Sequence, residues 1–232
     1  MELRPLLLLI VACSGSKTKV EDAKPIVVPH PIDAARASDA AIPAGKGDVS
    51  IRIEWHDVPL DARKPGSCGA DISPTTTWGI PDTVVTLAAP NATPPEPRTA
   101  RIVFNTCFGP RVALASDRFT IASTVPQPTN VTVSPEGGAT VIVQLPIAGH
   151  EVEVPVPPGL TTIVGGASRA WIVVPKTPYA ALTDATGVAV LRDVPSGSYP
   201  VTAFSPASGR SAKGEIVVTP GQLAELTLQL QP

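Results

Sequence analysis

Proline and glycine break this chain so often that no window of it offers a convincing long amphipathic helix. The 28 prolines and 18 glycines are spread along it, and a proline inside a helix removes a backbone donor while its ring clashes with the preceding turn. Between the breakers lie short runs rich in Val and Thr, residues that suit a pleated, half-buried surface. In one such run Val49, Ile51, Ile53 and Trp55 fall on one face and Ser50, Arg52, Glu54 and His56 on the other, which is the period of a strand. Hydrophobic residues make up 43% of the chain, enough to bury a core and to exclude disorder throughout. The expectation is an all-β protein of Greek-key β-sandwich architecture.

Further strands are expected at 83–89, 100–105, 111–115, 119–123, 129–134 and 140–145, and then at 160–164, 170–174, 188–191, 199–204, 214–218 and 224–230. The stretch Glu151-Val152-Glu153-Val154-Pro155-Val156 alternates with its valines inward, but its proline confines it to a sheet edge or a bulge. Residues 58–78 are rich in Pro, Gly and Asp and contain Cys68-Gly69, so they read as a long loop tied down by its cysteine. The run from Pro90 to Pro97 can neither pair inside a sheet nor continue a helix, and marks a boundary or a surface loop. Charge is nearly balanced, 18 Lys and Arg against 20 Asp and Glu. With no basic run and no interleaving of basic and aromatic residues, the footprint of a nucleic-acid partner is missing.

The first thirteen residues carry Arg4, an apolar run from Leu6 to Val11, and a small residue before Cys13. This string resembles the lipobox of bacterial lipoproteins, which implies that residues 1–12 are a signal peptide and that Cys13 is the lipidated first residue of the mature chain. Such an anchor is stable because it joins more than one acyl chain to the protein, and the implied partner is the membrane itself. Ser14 in place of Asp after the cysteine favours the outer membrane within the cell envelope. The alternative is an ordinary secreted protein whose signal happens to contain a cysteine. Residues 13–46 hold repeated breakers around one apolar island, Ile26-Val27-Val28, and read as a flexible tether. An exported, oxidising compartment makes Cys68 and Cys107 a candidate disulfide, the alternative being two separate buried thiols.

The tail from Thr183-Asp184-Ala185-Thr186-Gly187 through Asp193-Val194-Pro195-Ser196-Gly197 to Tyr199-Pro200-Val201-Thr202-Ala203-Phe204 resembles the carboxypeptidase regulatory-like family, a transthyretin-like β-sandwich. Its opening strands match further upstream, at 47–55 and 79–87. The resemblance therefore implies a regulatory-like sandwich split between 47–97 and 176–232 and interrupted by an insertion at 98–175. That insertion resembles the cupredoxin-like part of methylamine utilization-like and plastocyanin-like periplasmic proteins, on Cys68-Gly69, Cys107-Phe108-Gly109-Pro110, Leu145-Pro146 and Thr177-Pro178-Tyr179.

The copper centre of that family needs two imidazoles, a thiolate and a weak thioether. Their positions fall on Thr129, Gly165 and Ser168 with the loop around them, none of which can serve as such a ligand, and the only methionine is Met1. No metal site and no cofactor is therefore expected. His30, His56 and His150 lie in the tether, on an exposed strand face and in a turn, and are read as surface residues. His56-Asp57 lacks any nucleophile context, so no catalytic residues are assigned. Trp55, Trp78 and Trp171 are read as packing residues. The expected role is non-catalytic: a cell-envelope lipoprotein that displays a β-sandwich scaffold for an envelope protein or glycan, or braces an assembly. The alternatives are a copper-binding electron carrier and a carbohydrate- or peptide-binding module.

Overall fold

The computed structural model describes residues 44–89 and 98–231. The segment expected to be a signal peptide, Cys13, His30, the expected tether as far as residue 43 and the proline-rich run at 90–97 lie outside the described residues.

Strand β1 (Lys46–Glu54) follows the alternation in its sequence, with Val49, Ile51 and Ile53 buried and Ser50, Arg52 and Glu54 half-buried. It starts one residue before the expected start of folded structure at Gly47. A long loop leads to β2 (Val84–Leu87). Nine strands follow: β3 (Ala100–Asn105), β4 (Cys107–Gly109), β5 (Val112–Leu114), β6 (Arg118–Ser123), β7 (Thr129–Pro135), β8 (Val141–Leu145), β9 (Glu151–Pro155), β10 (Gly159–Gly165) and β11 (Ser168–Val174). The last five are β12 (Ala180–Leu182), β13 (Val188–Pro195), β14 (Gly197–Ser205), β15 (Arg210–Val218) and β16 (Leu223–Gln229). Among the described residues there is no helix.

The strands form four sheets, with orders β13-β1-β16, β12-β2-β14-β15, β4-β3-β6-β9 and β5-β11-β10-β7-β8. The first two sheets face each other across a core of Val49, Ile51 and Ile53 against Val85, Leu87 and Val201. The other two enclose a second core in which Ile102, Phe119 and Ile121 meet Val131, Ile163 and Ile172. The chain is thus an all-β arrangement of sandwiches, as its sequence leads one to expect. Within the first sandwich β1 lies between β13, antiparallel, and β16, parallel. In the second, β3 pairs with β6 and β5 with β11, both parallel. Parallel neighbours need crossover connections rather than hairpins, so each sandwich is closed by strands that are distant in sequence.

A third, smaller apolar cluster joins the two bodies. Val84 of the first sandwich meets Val112 and Trp171 of the second, with Leu182 and Leu114 beside them. Arg98 reaches across the same seam and donates to the carbonyls of Ala180 at 2.9 Å and Pro178 at 3.4 Å. β9 pairs only with β6, so its Pro155 sits on an edge, as its sequence requires. Two strands depart from expectation: β4 and β12 are each three residues long, too short to show a period, and β12 has no β-branched residue.

Candidate ligand cleft at the seam

The long loop between β1 and β2 is irregular but anchored. Val58 and Ile72 are buried in the first core, and the Ile72 amide donates to the Ala62 carbonyl at 3.0 Å. At its tip Gly66 and Gly69 exchange backbone hydrogen bonds of 2.9 and 3.2 Å. Gly69 takes φ +87°, a conformation glycine adopts without strain. This turn presents Cys68 to the start of β4, where a disulfide joins it to Cys107 with the Cα atoms 5.5 Å apart. The bond therefore runs from a loop of the first sandwich to a strand of the second.

Arg111, just before β5, binds the same loop from below. Its guanidinium donates to the Ala70 carbonyl at 2.6 Å and to the Asp71 carboxylate at 3.3 Å, and it lies 5.7 Å from the centre of the Trp171 ring. The Trp171 amide in turn donates to the Arg111 carbonyl at 2.8 Å. On the seam side, partial desolvation raises the carboxyl of Asp82, and the charge of Arg111 pulls it the other way.

Between this loop and the β10–β11 hairpin lies an open cleft of about 350 Å³, a size at the lower end of small-molecule sites. Its walls include the disulfide half-cystine Cys68, Ser67, Lys64, Arg111, Arg169 and Asp71. The hairpin turns at Gly166-Ala167, with Gly166 at φ +57°. Three cations and one carboxylate thus meet in one concavity, and the carboxylate already holds Arg111. Lys64 and Arg169 take part in no ion pair among the described residues.

The positions expected to replace copper ligands have other roles. Gly165 faces the aromatic pair Phe104 and Phe108: a Cβ there would come within 2.9 Å of the Phe108 ring and 3.1 Å of the Phe104 ring. Ser168 is buried, and its hydroxyl accepts the Phe108 amide at 2.9 Å. Thr129 opens β7 and donates to the Gln127 carbonyl at 3.2 Å. These residues do not fit a copper centre: they have no soft or imidazole donor, and ring packing fills the space a thiolate at 165 would need. Among the described residues no group of three or more His, Cys, Asp or Glu side chains is placed to share a metal ion.

His56 is exposed and bonds Glu54 at 3.0 Å, a carboxyl held below its ordinary value first by the Arg52 hydrogen bond and then by His56. His150 lies in the exposed turn before β9. Trp55 and Trp171 are buried, while Trp78 is 38% exposed, with Arg63 over its ring at 5.1 Å and His56 at 5.9 Å. Lys64, Arg111 and Arg169 are not marked as a group by the sequence. They come from three separate stretches of the sequence, and its one signal, the pairing of Cys68 with Cys107, brings together only those of Lys64 and Arg111. No family model, curated protein or solved structure matches the chain.

Proposed function

We propose that this chain is a non-catalytic lipoprotein of the cell envelope, anchored in the outer membrane through Cys13, that presents a rigid pair of β-sandwiches to an envelope protein or glycan. The observation that carries this reading is the cross-linked seam. A disulfide, the Arg98 and Arg111 bonds to backbone carbonyls and the Val84–Val112–Trp171 cluster all hold one sandwich against the other. Such reinforcement fixes the relative position of surface loops, which suits binding at a rigid surface. The split of the regulatory-like sandwich by a cupredoxin-like insertion at 98–175 is supported by the core that gathers residues 100–174 and by the other core, which draws on residues before 88 and after 188. The copper-carrying alternative is disfavoured by the packing roles of Gly165 and Ser168.

The test begins at the anchor. Cys13→Ser should abolish incorporation of radiolabelled fatty acid and move the protein out of the membrane fraction, because two acyl signals are needed for a stable anchor. Membrane partition and label both unchanged would end the lipoprotein reading. Photo-crosslinkers placed along the seam-facing loops should give a discrete adduct in cells. Adducts from no position would remove the partner-binding role.

A further inference from the structure

We infer that the seam cleft is a binding site for a phosphate monoester, recognised through Lys64 and Arg169 with Arg111 as the fixed floor. The charge count leads to this class. Arg111 is balanced by Asp71 and oriented by the Ala70 carbonyl and the Trp171 ring, whereas Lys64 and Arg169 bring two positive charges with no counterion among the described residues. A phosphate monoester carries about two negative charges at neutral pH and accepts both the forked guanidinium and the point-charge ammonium. A carboxylate would leave one of these cations uncompensated. The Ser67 hydroxyl on the same wall supplies a neutral donor.

The volume of about 350 Å³ leaves room for a small organic body beyond the phosphate. The wall formed by residues 64–71 is set by the disulfide, and the opposite wall by the β10–β11 hairpin, which Ser168 and the Phe104–Phe108 pair fix to the second core. The site is therefore built before the ligand arrives, which lowers the ordering cost of binding. Two sources offer the same chemistry: a soluble sugar phosphate and the phosphomonoester headgroup of a lipid. The inference extends the reading of the molecule as a binding body and does not depend on the anchor.

Titration calorimetry on the full chain in nonionic detergent, with glucose 6-phosphate and glycerol 3-phosphate as separate probes and glucose as the control, tests it. Saturable one-to-one binding of at least one monoester is expected, weakening as salt is added, and the tighter of the two names the source. Lys64→Gln and Arg169→Gln should each raise Kd about tenfold, the loss of one charge-assisted contact, with the unliganded thermal midpoint unchanged. Lys213→Gln, on β15 and away from the cleft lining, should leave Kd within about twofold. The inference is overturned if neither monoester binds, if glucose binds as well as its phosphate, or if the Lys213 variant weakens binding as much as the other two.

Discussion

Asp184 shows at the scale of one residue how a short polar side chain fixes a turn. Its carboxylate accepts the amides of Thr186 at 2.8 Å and Val188 at 3.0 Å and the Thr186 hydroxyl at 2.6 Å. Gly187 follows at φ +83°, where any Cβ would come within 2.6 Å of the Gly79 α-carbon. The carboxyl is held below its ordinary value of 3.8, first by the Thr186 hydroxyl and then by the Val188, Thr186 and Gly187 amides. A depressed carboxyl stabilises the fold fully above its unfolded value, and that contribution is lost as pH falls through the lower folded value. Asp184→Ala should therefore cost about 1 kcal/mol at pH 7, the worth of exposed hydrogen bonds to a charged group. That is about 3 °C in thermal midpoint for a chain of this size. The deficit should shrink toward pH 2, and midpoints measured by circular dichroism at both pH values check it; an equal deficit at both would show that the charge plays no part. The turn itself was legible, because Asp and Gly are the residues such a turn requires. The role of Gly165 was not, since only the three-dimensional packing puts the Phe104 and Phe108 rings where its side chain would go.

At the scale of elements, alternation carried most of the information. Strands with a clear two-residue period, such as β1 and β9, lie where their sequences place them, and β9 shows why an edge with a proline is tolerated. Its outward Glu151 and Glu153 pair with Arg101 at 2.7 Å on β3, one strand further in, and with Arg118 at 2.6 Å on the adjacent β6, and charge on an edge strand discourages pairing with another chain. β4 could not be read from pattern, being set instead by Thr106 at φ +63° before it and by the disulfide at its first residue. That disulfide closes a loop with a sequence separation of 39, worth about 4 kcal/mol in the chain-entropy treatment. The Cys68→Ser, Cys107→Ser double variant should lower the thermal midpoint by about 12 °C. Calorimetry on this variant and the native chain measures the difference. A shift of only a degree or two would mean that the Arg111 and Trp171 contacts alone hold the loop to the second sandwich. The candidate site escaped a sequence reading for the same reason: Lys64, Arg111 and Arg169 sit on three different elements, and it is their convergence at the seam that makes them a group.

For the molecule as a whole, composition and breaker spacing were enough to specify sandwiches, while the seam between them was not written in any local pattern. Trp171 looked like core in the sequence, and it is buried, but at the seam, beside Val112 of its own sandwich and against Val84 of the other. The parallel pairing of β1 with β16 matches Ile51 to Leu226, so the first sheet joins nearly the two ends of the described chain. A sheet closed by such distant partners forms slowly, because its loop-closure entropy is lost before its contacts are gained. β3 to β11, by contrast, find every sheet partner within one continuous segment. A chain ending at Thr219 should therefore keep amide-exchange protection in β3–β11 and lose it in β1 and β13. Protection retained in β1 would show that β13 alone suffices to hold it. Ribosomes release a chain amino end first, so β1 emerges before its parallel neighbour and stays without it until β16 has been made. The order of synthesis thus makes the earliest part of the fold to be made the last to be finished, and leaves a strand of buried-face valine and isoleucine exposed to solvent or a chaperone for the whole interval.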